Sequence, residues 1–107
     1  MAGLQKPAGP MDLRQIQYFV MLFEERSVTK AARRLNVVQP ALSMQIRRLE
    51  EQFKAKLFER TSRGVEPTAV GRNFYRMCLQ ILDEVHGAER YLREASGKVA
   101  GEVTIGL

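Results

Sequence analysis

Apolar residues recur along this chain in two rhythms, and the switches between them mark out its elements. Leu13, Ile16, Phe19, Val20 and Phe23 follow helical spacing as far as Glu25, with Asp12 placed to cap, which predicts a first helix flooring a small core. Ala31, Ala32 and Leu35 then set small and apolar residues on one side of a second helix of about two turns. Ser27 or Thr29 can cap its start, and Asn36, which tolerates the left-handed conformation, can stop it. Pro40 suits the first turn of a third helix beginning near Gln39. On that helix Leu42, Ile46, Leu49 and Phe53 share one side, while Pro40, Ser43, Met44, Arg47 and Glu51 share the other. Two short helices, a tight turn and one outward polar face predict a helix-turn-helix over about residues 28–47, its two alanines letting the backbones approach closely.

After Phe53 the rhythm shortens. Leu57–Arg60 and Val65–Pro67 read as strands around Thr61-Ser62-Arg63-Gly64, a turn in which Gly64 can take positive φ. A basic hairpin beside a helix-turn-helix has the form of a wing, with Arg60 and Arg63 next to phosphates or in a minor groove; a solvated loop is the plainer alternative. Thr68 then caps a long helix expected to end at Ser96-Gly97. Along it Val70, Phe74, Met77, Ile81, Val85, Ala88, Leu92 and Ala95 step by three and four. A helix of roughly 28 residues reaches roughly 42 Å, further than so small a body can cover, so the seam predicts a homodimer through Phe74, Met77, Ile81, Val85, Ala88 and Leu92.

The fold class expected is mainly α: a winged helix-turn-helix, meaning a three-helix bundle plus a β-hairpin wing, over residues 11–68, followed by a linker and dimerisation helix over 69–96. Residues 1–10, with two prolines, two glycines and no periodicity, are expected to form a disordered leader. Residues 97–107 are expected to form a hinge and, through Val103 and Ile105, the first strand of an effector-binding domain that this chain lacks.

Charge sharpens the picture by where it lies. The 107 residues carry a net charge of +5. Between Met11 and Arg72 twelve Lys or Arg face seven Asp or Glu, whereas from Asn73 onward four face five. The basic excess therefore accompanies the helix-turn-helix, as a phosphate-facing module requires. Cys78 is the single cysteine and sits on an apolar face, which predicts a packing role and no disulfide within the chain. His86 is the single histidine, with no partner at metal-ligand spacing. Without a clustered nucleophile, base and orienting group, neither an enzyme nor a metal or cofactor site is expected. No apolar run can span a bilayer and no signal-peptide core is present, so the cytoplasm is the expected compartment.

These segments together resemble the DNA-binding domain and linker helix of the LysR-type transcriptional regulators. The resemblance rests on LRQIQYFV, AARRL, QPALS followed by QIRRLEEQF, LFERTSRG and the PT of VEPTAVG, in that order over about nine tenths of the chain. It implies a sequence-specific regulator binding double-stranded promoter DNA as a dimer, with the helix from Gln39 to Phe53 in the major groove. By position Gln39, Pro40 and Ser43 resemble the family's base contacts, and Thr29, Lys30, Arg60, Arg63 and Thr68 its phosphate or wing contacts. It further implies a tetramer in the full regulator and a small-molecule effector acting through a separate domain.

Two positions depart from the family pattern. Val38 stands where Ser is common and removes a capping hydroxyl, a loss of about 1 kcal/mol that Gln39 offsets only in part. Met44 replaces a basic residue and offers either apolar contact with a thymine methyl or packing at the rim. The competing reading is a winged-helix protein-interaction or assembly module that does not select DNA sequence. Such a surface calls for larger apolar anchors than Met44 alone on the outward face.

Overall fold

The computed structural model describes residues 10–101, with side chains as far as Gly97. The elements run α1 Leu13–Glu25, α2 Val28–Leu35, α3 Gln39–Phe53, β1 Phe58–Thr61, β2 Gly64–Pro67 and α4 Ala69–Gly101. The expected leader falls almost wholly outside the described residues, and the strand expected at Val103 and Ile105 lies outside them altogether.

Each helix boundary has a local cause. Asp12 and Gln15 form a reciprocal capping box: the Asp12 carboxylate accepts from the Gln15 N–H at 2.9 Å, and Gln15 Oε1 accepts from the Asp12 N–H at 3.1 Å. Ser27, of the two residues offered, caps α2 by accepting from the Lys30 N–H at 3.1 Å. Asn36 takes the left-handed conformation at φ 60°, and the N–H of Val37 reaches back to the Ala32 carbonyl at 3.0 Å. Arg26 and Lys54 are also left-handed, at φ 57° and 51°, and end α1 and α3. Neither residue type announces such a conformation in a sequence.

Phe19 is the hub of the core. Its ring lies 6.1 Å from Phe23, 5.3 Å from Phe58 and 4.7 Å from Phe74, so α1, β1 and α4 meet on one side chain. Leu42, Ile46 and Leu49 bury the inner side of α3, and Ala31 and Ala32 are enclosed where α2 meets the bundle. Phe53, expected on that inner side, is 51% exposed, because it occupies the last turn of α3 after the helix has run past the core.

The hairpin differs from expectation by one residue at both ends of β1 and at the start of β2, and ends at Pro67 as expected. Thr61 and Gly64 pair with each other as the last rung of an antiparallel ladder, leaving a two-residue turn of Ser62 and Arg63, while Leu57 precedes β1. The long helix also differs: α4 continues through Ser96 and Gly97 to Gly101. A helical glycine costs only about 1 kcal/mol relative to alanine, and no proline follows to enforce a stop. The hinge expected at residue 97 is thus part of the helix.

α4 is fastened to the body by its first turns. Gly71 lies under the Leu57 carbonyl, where any Cβ would sit 2.3 Å from the oxygen. The Tyr75 ring stacks on Phe23 at 3.8 Å, and its hydroxyl donates to Glu24 at 2.7 Å. That hydrogen bond, helped by burial and the Glu24 charge, pushes the Tyr75 pKa up to about 12. Cys78 is fully buried on the same side, its thiol pushed up to about 12 by desolvation, which fits a packing residue. Phe74, expected to serve dimerisation, is largely committed to its own core through Phe19. Further along, the seam is open: Met77 is 58% and Leu92 65% exposed.

Candidate nucleic-acid interface

The residues singled out for DNA lie on three neighbouring structures: the start of α2, the outward face of α3 and the hairpin. Gln39, Pro40, Met44 and Arg47 are exposed along α3, with Ser43 half-buried between them. A depression at the helix-turn-helix joins Thr29, Arg33, Val38, Gln39, Pro40 and Ser43. On the other side of α3, a cleft of about 590 Å³ separates it from the hairpin and is lined by Ser43, Arg47, Lys54, Lys56 and Arg60, among others. Ser43 borders both hollows, so the middle of the exposed face of α3 forms a ridge between them.

The electrostatics of the ridge suit an anionic partner. α3 has no acidic residue in its first turn and no side-chain cap, so the positive end of its dipole is left uncompensated. Lys30, Arg33, Arg47, Arg60 and Arg63 form no ion pair among the described residues. Arg26 and Arg34, by contrast, are engaged with Glu66 at 3.0 Å and Glu25 at 2.7 Å. The free cations thus flank α3 on the α2 side and the hairpin side. Glu50, Glu51 and Glu59 line the cleft as well and offset part of its positive charge.

Thr68 is placed differently from the rest. Its hydroxyl donates to the Lys56 carbonyl at 2.7 Å and accepts from the Gly71 N–H at 3.0 Å. The only proton it could offer a phosphate is therefore used to tie the entry of the hairpin to α4. Thr68 acts as a cap, as expected, and supplies no free hydroxyl donor.

Two residues were missed by sequence reasoning. Arg33 lies one helical turn beyond Thr29 and lines the same depression; that four-residue spacing was the available signal. Glu50 accepts from the backbone N–H groups of Leu57 and Phe58 at 2.8 and 3.2 Å, setting the hairpin against α3. Nothing in the order of residues reveals that bond, because it depends on how the chain turns after Lys54.

Among the described residues no group of three or more His, Cys, Asp or Glu side chains converges as metal ligands, and no helix is long and apolar enough to cross a membrane.

Comparison with known proteins places this arrangement. Residues 13–72 match the model of the bacterial regulatory helix-turn-helix proteins of the lysR family. The chain is 42% identical over 97 residues to the probable cat1 operon transcriptional activator of Acinetobacter lwoffii, covering 91% of this chain and 32% of that protein. It is 41% identical over 97 residues to the HTH-type transcriptional regulator BudR of Klebsiella aerogenes, covering 91% of this chain and 68% of that one. The chain thus spans about a third of the first relative's length and about two thirds of the second's. Its fold is similar to the crystal structure of the BenM DBD with catB site 1 DNA, with a TM-score of 0.78 and 41% identity, covering 80% of this chain and 97% of that one. With its three helices, hairpin and long fourth helix matched in sequence and in shape, the chain belongs to the lysR family of bacterial regulatory helix-turn-helix proteins.

Proposed function

We propose that this chain is the DNA-reading and dimerising part of a transcription regulator, with α3 in the major groove of promoter DNA. The observation that carries this is the ridge of α3, whose unengaged polar side chains lie between two flanks of unpaired cations. The BenM DBD, to which its fold is similar, forms a complex with catB site 1 DNA. Gln39 can bond bidentately to adenine, Pro40, Ser43, Met44 and Arg47 line the groove face beside it, and Thr29, Lys30, Arg60 and Arg63 meet the backbone on either side. A reader of bacterial promoters works in the cytoplasm and has no catalytic step to perform. Assembly beyond a dimer and response to a small-molecule effector belong to the length of the full regulators that this chain does not span. Selection of bound sites from random DNA tests the reading: a repeated half-site should emerge, and an unenriched pool would contradict it.

The seam of α4 supports a two-fold dimer, the symmetry suited to paired half-sites. Its residues are spaced symmetrically about Ile81: Met77 and Val85 are equidistant from it, as are Phe74 and Ala88, and Val70 and Leu92. An antiparallel pair centred there sets Ile81 against its own copy and Met77 against Val85. Ile81→Cys is expected to cross-link to its own copy on oxidation, whereas Met77→Cys alone is expected not to. Buried Cys78 stays silent in both. Cross-linking of every single seam cysteine would indicate a parallel pair, and a monomeric mass by light scattering would exclude the seam as an interface.

A further inference from the structure

Val38 occupies the N-cap of α3 in extended conformation, at φ −81° and ψ 149°, with no side-chain bond to the first turn. Ser, Thr, Asp or Asn at this position would each supply an acceptor to an orphan N–H, and Val supplies none. Nor does Val38 gain by burial, since it is 68% exposed, the most open aliphatic side chain in the helix-turn-helix. Its side chain lines the depression at the tip, shared with Thr29, Arg33, Gln39, Pro40 and Ser43, next to the uncompensated end of α3. Neither capping nor burial therefore accounts for an exposed aliphatic group here, while an apolar contact made only in a complex does.

We propose that Val38 determines specificity by seating its methyl groups against the 5-methyl of a thymine, in the base pair that Gln39 reads or in the pair next to it. The inference rests on α3 entering the major groove. The chemistry of the site narrows the ligand. The major groove displays one prominent apolar group, the thymine methyl, which cytosine lacks and which small aliphatic side chains recognise by contact. Val38 and Gln39 are consecutive, so their side chains start within the rise of one or two base pairs of each other. An A·T pair offers both the N6/N7 edge suited to Gln39 and the methyl suited to Val38. Val38 and Met44 are both apolar side chains exposed at α3, but Val38 sits at the leading tip and Met44 six residues, more than a turn and a half, further along.

Replacing thymine by uracil removes that methyl and nothing else. With the site first selected from random DNA, each thymine is changed to uracil in turn and binding is measured for the wild-type chain, Val38→Ser and Val38→Ala. The wild type is expected to lose roughly three- to fivefold in affinity at one thymine of each half-site, the burial of about one methyl-sized group. Val38→Ser and Val38→Ala are expected to lose sensitivity at that thymine and keep it elsewhere. Val38→Ser, gaining a cap, is expected to melt several degrees higher, and Val38→Ala not to. Uracil without effect at every position, or an equal loss in wild type and both variants, would overturn the role of Val38 while leaving DNA reading intact. A selection that enriches no motif would overturn DNA reading, and this proposal with it.

Discussion

Gly64→Ala is expected to destabilise the domain by about 2–4 kcal/mol and to lower its melting temperature by roughly 10–20 °C. Gly64 has φ 138°, a region L side chains avoid, and a Cβ there would stand 2.4 Å from the Arg26 carbonyl oxygen. The same oxygen accepts from the Val65 N–H at 3.2 Å. Arg26 is itself held by Glu66 and by its own Nε bond to the Phe23 carbonyl at 2.6 Å. One methyl group at Gly64 therefore pushes the hairpin off the α1–α2 corner and breaks the bond that seats it. Because Arg60 and Arg63 travel with the hairpin, DNA affinity should fall with stability. Thermal unfolding checks this, and a shift within about 2 °C would mean that the hairpin is not anchored at Arg26.

Gln39→Ala is expected to act on choice of sequence and to leave the fold alone. The side chain is exposed and makes no bond in the structure, so stability should stay within about 0.5 kcal/mol of wild type. A bidentate contact with adenine is worth about 1–3 kcal/mol of discrimination, so affinity for the selected site should fall roughly five- to 150-fold for each half-site. The preference at one base pair of the half-site should flatten. Gln39 is uncharged, so the salt dependence of binding should not change. Unaltered affinity would remove Gln39 from the reading face, and an equal loss for the selected and the scrambled site would assign it to the backbone.

Most of the fold was legible in the sequence because its causes are local. The Asp12, Ser27 and Thr68 caps, the left-handed Asn36, and Pro40 at the head of α3 each act within a few residues, and each stands where periodicity placed it. What escaped depends on contacts distant along the chain. Phe74 continues the spacing of the seam, yet its ring belongs to Phe19, 55 positions earlier. Gly71 could be recognised as a close approach only once Leu57 was known to lie above it. The same distinction holds at the interface. Spacing placed Pro40, Ser43, Met44, Arg47 and Glu51 on one face and the family resemblance added Gln39, but neither could show that Thr68 uses its hydroxyl inside the protein, nor that Glu50 holds the hairpin. Charge counting found the basic region without separating the engaged Arg26 and Arg34 from the free cations.

In the proposed function the cations flanking α3 supply affinity and the ridge between them supplies selection. Binding of the selected site and of its scrambled counterpart, measured across salt from 50 to 200 mM, tests that division most directly. With three or four phosphate contacts from each protomer, log affinity should fall against log salt with a slope of roughly −5 to −7 for the selected site. The selected site should remain at least about a thousandfold tighter than the scrambled one at physiological salt. Equal, weak binding of both sequences at every salt concentration would contradict this division, leaving a basic patch that attracts DNA without reading it.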